Sequence, residues 1–171
     1  MTLTAPVTGR LIRGSTVYKG GTRHDPYTSR RRPTPPAVTP VAIVLGSLTV
    51  VGRPEHVAQT RAFVASLAGL AAESATLLTS ELVTNAVLHS RSGCDGGTVT
   101  VTVIDLPDGV LVEVADDGSP DSGPEINLDR YAPGGRGLFL VDQLATRWGY
   151  LRDGTGTTVW FQVGPEEGTA G

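Results

Sequence analysis

The chain has 171 residues, room for one domain and a tail. Hydrophobic side chains make up 39% of it, but with only three Phe, four Tyr and two Trp the core must rest on Val, Leu, Ile and Ala. Residues 1–40 hold seven basic side chains against one acid, Asp25, a net +6, whereas residues 41–171 hold seven basic against sixteen acidic, a net −9; an acidic body of this kind argues against a direct nucleic-acid surface, which needs clustered cations.

In chain order, residues 1–40 combine Gly9, Gly14, Gly20, Gly21, Pro26, Pro33, Pro35, Pro36 and Pro40 with Arg, Thr and Ser, without a period of two or of 3.6. Such a segment buries too little apolar surface to offset its lost chain entropy, so a disordered basic tail is expected. Arg30-Arg31-Arg32 is either a solvated run or a contact for an anionic partner. With the apolar stretch that follows, it resembles a twin-arginine export signal, but Pro33 interrupts the approach and no Ala-x-Ala cleavage site follows. The stretch is also too short for the roughly 20 apolar residues that span a bilayer, so neither export nor a membrane is expected.

A strand is expected within 41–51. Gly52-Arg53-Pro54-Glu55 then starts a helix, with Pro in the first turn and an acid near the positive dipole end. Val57, Phe63, Val64 and Leu67 follow near helical spacing, and Gly69 can end it. A second helix runs from about Glu73 to His89, with Leu77, Leu78, Leu82, Ala86 and Leu88 as apolar contacts. The period then becomes two: Val99, Val101 and Val103 alternate with Thr98, Thr100 and Thr102, and a turn at Pro107-Asp108-Gly109 leads into a second strand, making a hairpin. Residues 118–137 read as loop, 138–148 as a short helix running towards a strand near Trp148–Arg152, and 157–163 as a last strand. The sum is an α+β two-layer sandwich, one mostly antiparallel sheet with helices on one face. The domain is expected over 41–165, with a flexible tail at 166–171.

Absences narrow the chemistry. The single lysine, Lys19, lies in the basic head, so there is no Gly-x-x-x-x-Gly-Lys-Ser/Thr phosphate loop and no lysine for a Schiff base within the fold. His24, His56 and His89 have no metal-ligand spacing, which argues against zinc. The lone Cys94 cannot form an internal disulfide and fits a reducing compartment.

Three stretches remain. On the second helix Glu81 and Asn85 lie about 40° apart on one face with Leu88 and His89; their oxygens suit Mg²⁺ or an ordered water, although a polar surface stripe reads the same way. In "VADDGSP" Asp116 ends a strand and Gly118 lets the chain turn; the carboxylate can accept from an exocyclic amine such as that of adenine, or the segment is simply a turn. In "APGGRGLFLVDQL" Gly134, Gly135 and Gly137 precede a helix, where backbone N–H groups and the dipole favour phosphate.

Taken together and in this order, "ELVTNAVLH", "DDGSP", "GGRGLFLV" and "GTTVWF" resemble the N box, the two glycine boxes and the closing strand of the GHKL superfamily, the Bergerat ATP-binding fold of gyrase-type ATPases, histidine kinase catalytic domains and anti-sigma-factor serine kinases. The short lid and the Glu-Leu-Val-Thr-Asn-Ala form are most similar to the small anti-sigma-factor kinases of actinobacterial type. The resemblance covers roughly residues 41–165. It implies Glu81 as general base, Asn85 as ligand of the Mg²⁺ that bridges the ATP phosphates, Asp116 and Gly118 at the adenine, Gly135, Arg136, Gly137 and Leu138 at the phosphates, and Thr157 lining the base pocket. His89 would sit near the phosphates or pack at the helix end. Three departures stand out: Pro120 where many relatives have a second glycine, no lysine for the γ-phosphate (leaving Arg136 or Arg130), and the basic head.

The implied function is a cytoplasmic serine/threonine kinase and anti-sigma factor, whose partners are a sigma factor and an antagonist protein that it phosphorylates. The alternatives are an ATP-dependent binding module that switches a partner without phosphoryl transfer, and the stand-alone catalytic domain of a histidine kinase-like system. Glu81 favours the kinase over the module, and no phosphoacceptor helix pair precedes the domain. Small relatives commonly dimerise, so a homodimer is a further expectation.

Overall fold

The computed structural model describes residues 16–18, 42–119 and 136–164. Six strands form one sheet: β1 (Thr16–Tyr18), β2 (Ile43–Val51), β3 (Thr98–Leu106), β4 (Gly109–Asp116), β5 (Arg147–Arg152) and β6 (Thr157–Val163), in the order β1-β5-β6-β4-β3-β2. Every adjacent pair is antiparallel. Helices α1 (Val57–Leu67), α2 (Ala72–His89) and α3 (Arg136–Leu144) complete the fold. It is the expected α+β sandwich.

The period-two segments behave as strands half-buried in a sheet must. Val99, Val101 and Val103 of β3 are fully buried, as is Val112 of β4, while the threonines between them face the other way. Two of those threonines tie the edge strand on: Ser47 and Thr49 of β2 bond Thr102 and Thr100 at 3.1 and 2.9 Å. On the inner face the valines meet Val64 of α1, Ala75, Leu78, Leu82, Val83 and Ala86 of α2, and Val141 of α3. The helix α2 lies over β3, β4 and β6 with α1 and α3 beside it, so one face of α2 is core and another is free to carry chemistry.

Three expectations need correction. Leu77 and Leu88 are not core residues; they are 42% and 64% exposed. By helical phase, counted at about 100° per residue from Leu77, Leu88 lies at about 20° and Glu81 at about 40°, well off Leu78 and Leu82 at about 100° and 140°, while Asn85 at about 80° borders that stripe. The last helix spans Arg136–Leu144 rather than 138–148: the Thr146 N–H and hydroxyl bond the Gln162 carbonyl at 2.9 and 3.0 Å, which draws the chain into β5. Finally, the segment 1–40 contains a strand. Thr16, Val17 and Tyr18 are strand-forming residues, and they pair with Tyr150, Gly149 and Trp148 at the edge of the sheet. The other residues of 1–40 lie outside the described residues, as do Gly134, Gly135, Pro120, Arg130 and the segment 166–171. Among the described residues no helix is long and apolar enough to cross a membrane.

Candidate functional site

The edge of the core-facing side of α2 carries Glu81 and Asn85, both half-buried. The first turn of α3 comes down on this pair. A Cβ built on Gly137 would lie 2.6 Å from Asn85 Nδ2, 3.3 Å from Glu81 Cβ and 3.4 Å from Glu81 Oε2. Glycine lets the α3 backbone approach this closely without displacing the Asn85 amide, and the approach sets a helix N-terminus beside a carboxylate and an amide. Leu138 follows, 7% exposed, and anchors that turn in the core. The backbone of Arg136 opens α3.

A second group forms at the ends of β4 and β6. Asp116 stands in register with Thr157, which is buried. Gly118 adopts φ +70°, a left-handed turn residue. Its N–H donates to Asp116 Oδ1 at 2.6 Å, and the Thr157 N–H donates to the same carboxylate. A Cβ on Gly156 would sit 2.0 Å from the Asp116 carbonyl oxygen, so the backbone before β6 is pressed against the end of β4. Burial pushes the Asp116 carboxyl above its ordinary range and the neighbouring Asp117 adds to that; the Gly118 and Thr157 amides and the Arg152 charge oppose it. The result is a partly desolvated acceptor at a strand end, with a side-chain-free turn next to it.

The second group is tied to the end of α2, the helix that carries Glu81 and Asn85. The Arg91 N–H donates to the Gly118 carbonyl at 2.8 Å and its Nε to the Asp117 carbonyl at 2.9 Å. Ser92, fully buried, accepts from the Asp117 N–H at 2.8 Å and donates to the Thr98 carbonyl, while Asp117 Oδ2 accepts from the Thr98 N–H at 2.8 Å. Sequence reasoning missed Arg91, Ser92, Asp117 and Arg152; the one available signal was the doubled aspartate, whose second member looks redundant until its bond to Thr98 is seen. His89 is exposed at the end of α2, so it is not a packed helix-end residue.

Chemically, the Asp116 group offers an acceptor for an amine, and the Gly137 group a helix N-terminus for an anion with oxygen donors alongside. Among the described residues there is no cluster of three or more His, Cys, Asp or Glu able to hold a metal by themselves. The donor set suits a Mg²⁺ held by one protein oxygen with phosphate and water completing its shell, the usual manner of Mg²⁺ in nucleotide sites.

Residues 50–163 match the histidine kinase-like ATPase domain. Among curated proteins the chain is similar to the serine-protein kinase RsbW of Listeria monocytogenes, in the serotype 4a strain HCC23 and the serotype 4b strains CLIP80459 and F2365. Each is 33% identical, over 57% of this chain and 73% of the relative.

Proposed function

Because the chain belongs to the histidine kinase-like ATPase family and carries its ATP-binding domain, we propose that it is a Mg-ATP-dependent protein serine/threonine kinase that acts as an anti-sigma factor. The similarity to serine-protein kinase RsbW supports the kinase assignment. The observation that carries the reading is the packing of Gly137 on Glu81 and Asn85, which assembles two segments some fifty residues apart into one polar site.

In this reading adenine lies at the β4–β6 end, its exocyclic amine donating to Asp116, with Gly118 giving the base room and Thr157 lining the pocket. The phosphates extend towards α3, where Gly135, Arg136, Gly137 and Leu138 bring backbone N–H groups and the dipole. Asn85 would hold Mg²⁺, which neutralises charge on the phosphate oxygens. Glu81 takes the proton from the serine hydroxyl of the acceptor protein as that oxygen bonds the γ-phosphorus; the bridging β–γ P–O bond breaks and ADP leaves. A base in this position is what an ATP-dependent binding module has no use for. The acceptor would be a cytoplasmic antagonist protein that competes with the sigma factor for this chain.

The test is incubation of the full chain with labelled ATP, Mg²⁺ and a candidate antagonist. Label should appear on a serine of the antagonist. Glu81→Ala should lower the transfer rate by about 10²–10⁴-fold, the usual contribution of a general base, with ATP affinity retained. ATP binding with no transfer to any antagonist would replace the kinase by the binding module.

A further inference from the structure

We propose that Arg91 and Arg152 form a clasp that fixes the Asp116–Gly118 turn and thereby sets selection of the base. The inference deepens the adenine reading above and rests on it. Three successive carbonyls of the turn point at arginines from two different elements. Arg91, just past α2, takes Asp117 O through Nε and Gly118 O through its own N–H, at 2.9 and 2.8 Å. Arg152, at the end of β5, takes Ser119 O through Nη2. The amides are held as well: Asp117 N–H by Ser92 Oγ at 2.8 Å, and Gly118 N–H by Asp116 Oδ1 at 2.6 Å.

A surface turn ordinarily leaves such groups to water or closes one bond across itself. Here three of the four backbone groups of Asp117 and Gly118 are engaged by other parts of the chain, and the fourth, the Gly118 N–H, holds the Asp116 carboxylate within the turn, so the engagement bears on a functional atom. The Asp116 carboxylate takes its orientation from the Gly118 and Thr157 N–H groups, so a slide of Gly118 removes one of its two anchors. Gly118 is also boxed in by Gly156, whose Cα would lie 3.2 Å from an added Cβ, and Arg91 Nη2 stands 3.8 Å from the same point. The planar guanidinium offers donors in fixed directions, which a lysine ammonium does not. Both arginines are positioning residues: they act on the base through Asp116.

Two readouts on the full-length chain test this. Without nucleotide, amide hydrogen exchange at Gly118 should quicken by about tenfold in Arg91→Ala, since exchange reports local opening of the turn. With Mg²⁺, ATP affinity should fall by about tenfold, close to 1.4 kcal/mol, whereas GTP, which lacks the 6-amino group, should change far less, so that the ATP-to-GTP preference narrows. Arg152→Ala should move both readouts in the same direction. Arg91→Lys keeps the charge without the fork and should also lose preference; it stands in where the alanine variant fails to fold. Unchanged exchange at Gly118 overturns the clasp, and equal losses for ATP and GTP overturn its role in base selection. A wild-type chain that binds no ATP would overturn the adenine reading and base selection with it, while the nucleotide-free exchange still decides whether the clasp exists.

Discussion

At the scale of single residues, Gly137 is the most informative position. A methyl there must displace the Asn85 amide, the movable end of a side chain, so Gly137→Ala should fold with little change in melting temperature. Asn85 would then be turned away from its place beside the helix N-terminus. Mg-ATP affinity should drop by about tenfold, near 1.4 kcal/mol; titration calorimetry showing wild-type affinity would remove Asn85 and Gly137 from the site. Glu81, Asn85, Asp116, Gly118 and Gly137 were legible as candidates in the sequence because their chemistry is unusual for the places they occupy: acids and amides on an apolar helix, glycines before another. Arg91 and Arg152 were not, because each acts on a backbone carbonyl 26 or 33 residues away, and a carbonyl leaves no mark on a sequence.

At the scale of elements, the lesson concerns which way a correctly placed element faces. Periodicity placed α2 within a residue of its bounds, but its leucines occupy two stripes, and composition cannot say which stripe meets the sheet. Leu78 does, fully buried; Leu88 does not. Leu78→Ala should therefore cost about 2–5 kcal/mol in denaturant unfolding, and Leu88→Ala within about 0.5 kcal/mol; equal losses would mean that the open face of α2 is covered. The outer face of β4 gives a second case. Alternation sends Glu113 away from the valine core, a direction usually solvated, yet it stands between Thr102 and Trp160 in the sheet and burial raises its carboxyl above the ordinary range. A carboxyl raised on folding contributes its stability at low pH and loses it as pH climbs through the folded value. At neutral pH the charged Glu113 is thus a burden, and Glu113→Gln should raise the melting temperature at pH 7. The gain should shrink on acidification and be gone below the ordinary value of 4.5. A gain of the same size at pH 3.5 and pH 7 would show that charge burial is not its origin.

At the scale of the whole molecule, the sheet order explains why the site cannot exist in a fragment that lacks either α2 to β4 or α3 to β6. β4 and β6 are neighbours although forty residues separate Asp116 from Thr157, and between them in sequence stand α3 and β5. The side of α2 that carries Glu81 and Asn85 is held in place because the adjoining side is packed on β3, β4 and β6. ATP should therefore bind the folded chain and not the unfolded one, and binding energy becomes folding stability. At a concentration 100 times the dissociation constant the gain is about 2.7 kcal/mol. For a chain of this length that corresponds to a rise in melting temperature on the order of 5–10 °C. The rise should need Mg²⁺ for its full size if Asn85 holds the metal against the phosphates. It should be largely lost in Asp116→Ala, which removes the acceptor for the adenine amine but no part of the phosphate end. A wild-type chain whose melting is indifferent to millimolar Mg-ATP would lack the nucleotide site, whatever its fold. An Asp116→Ala chain that still gains the full shift would place the base somewhere other than the β4–β6 end.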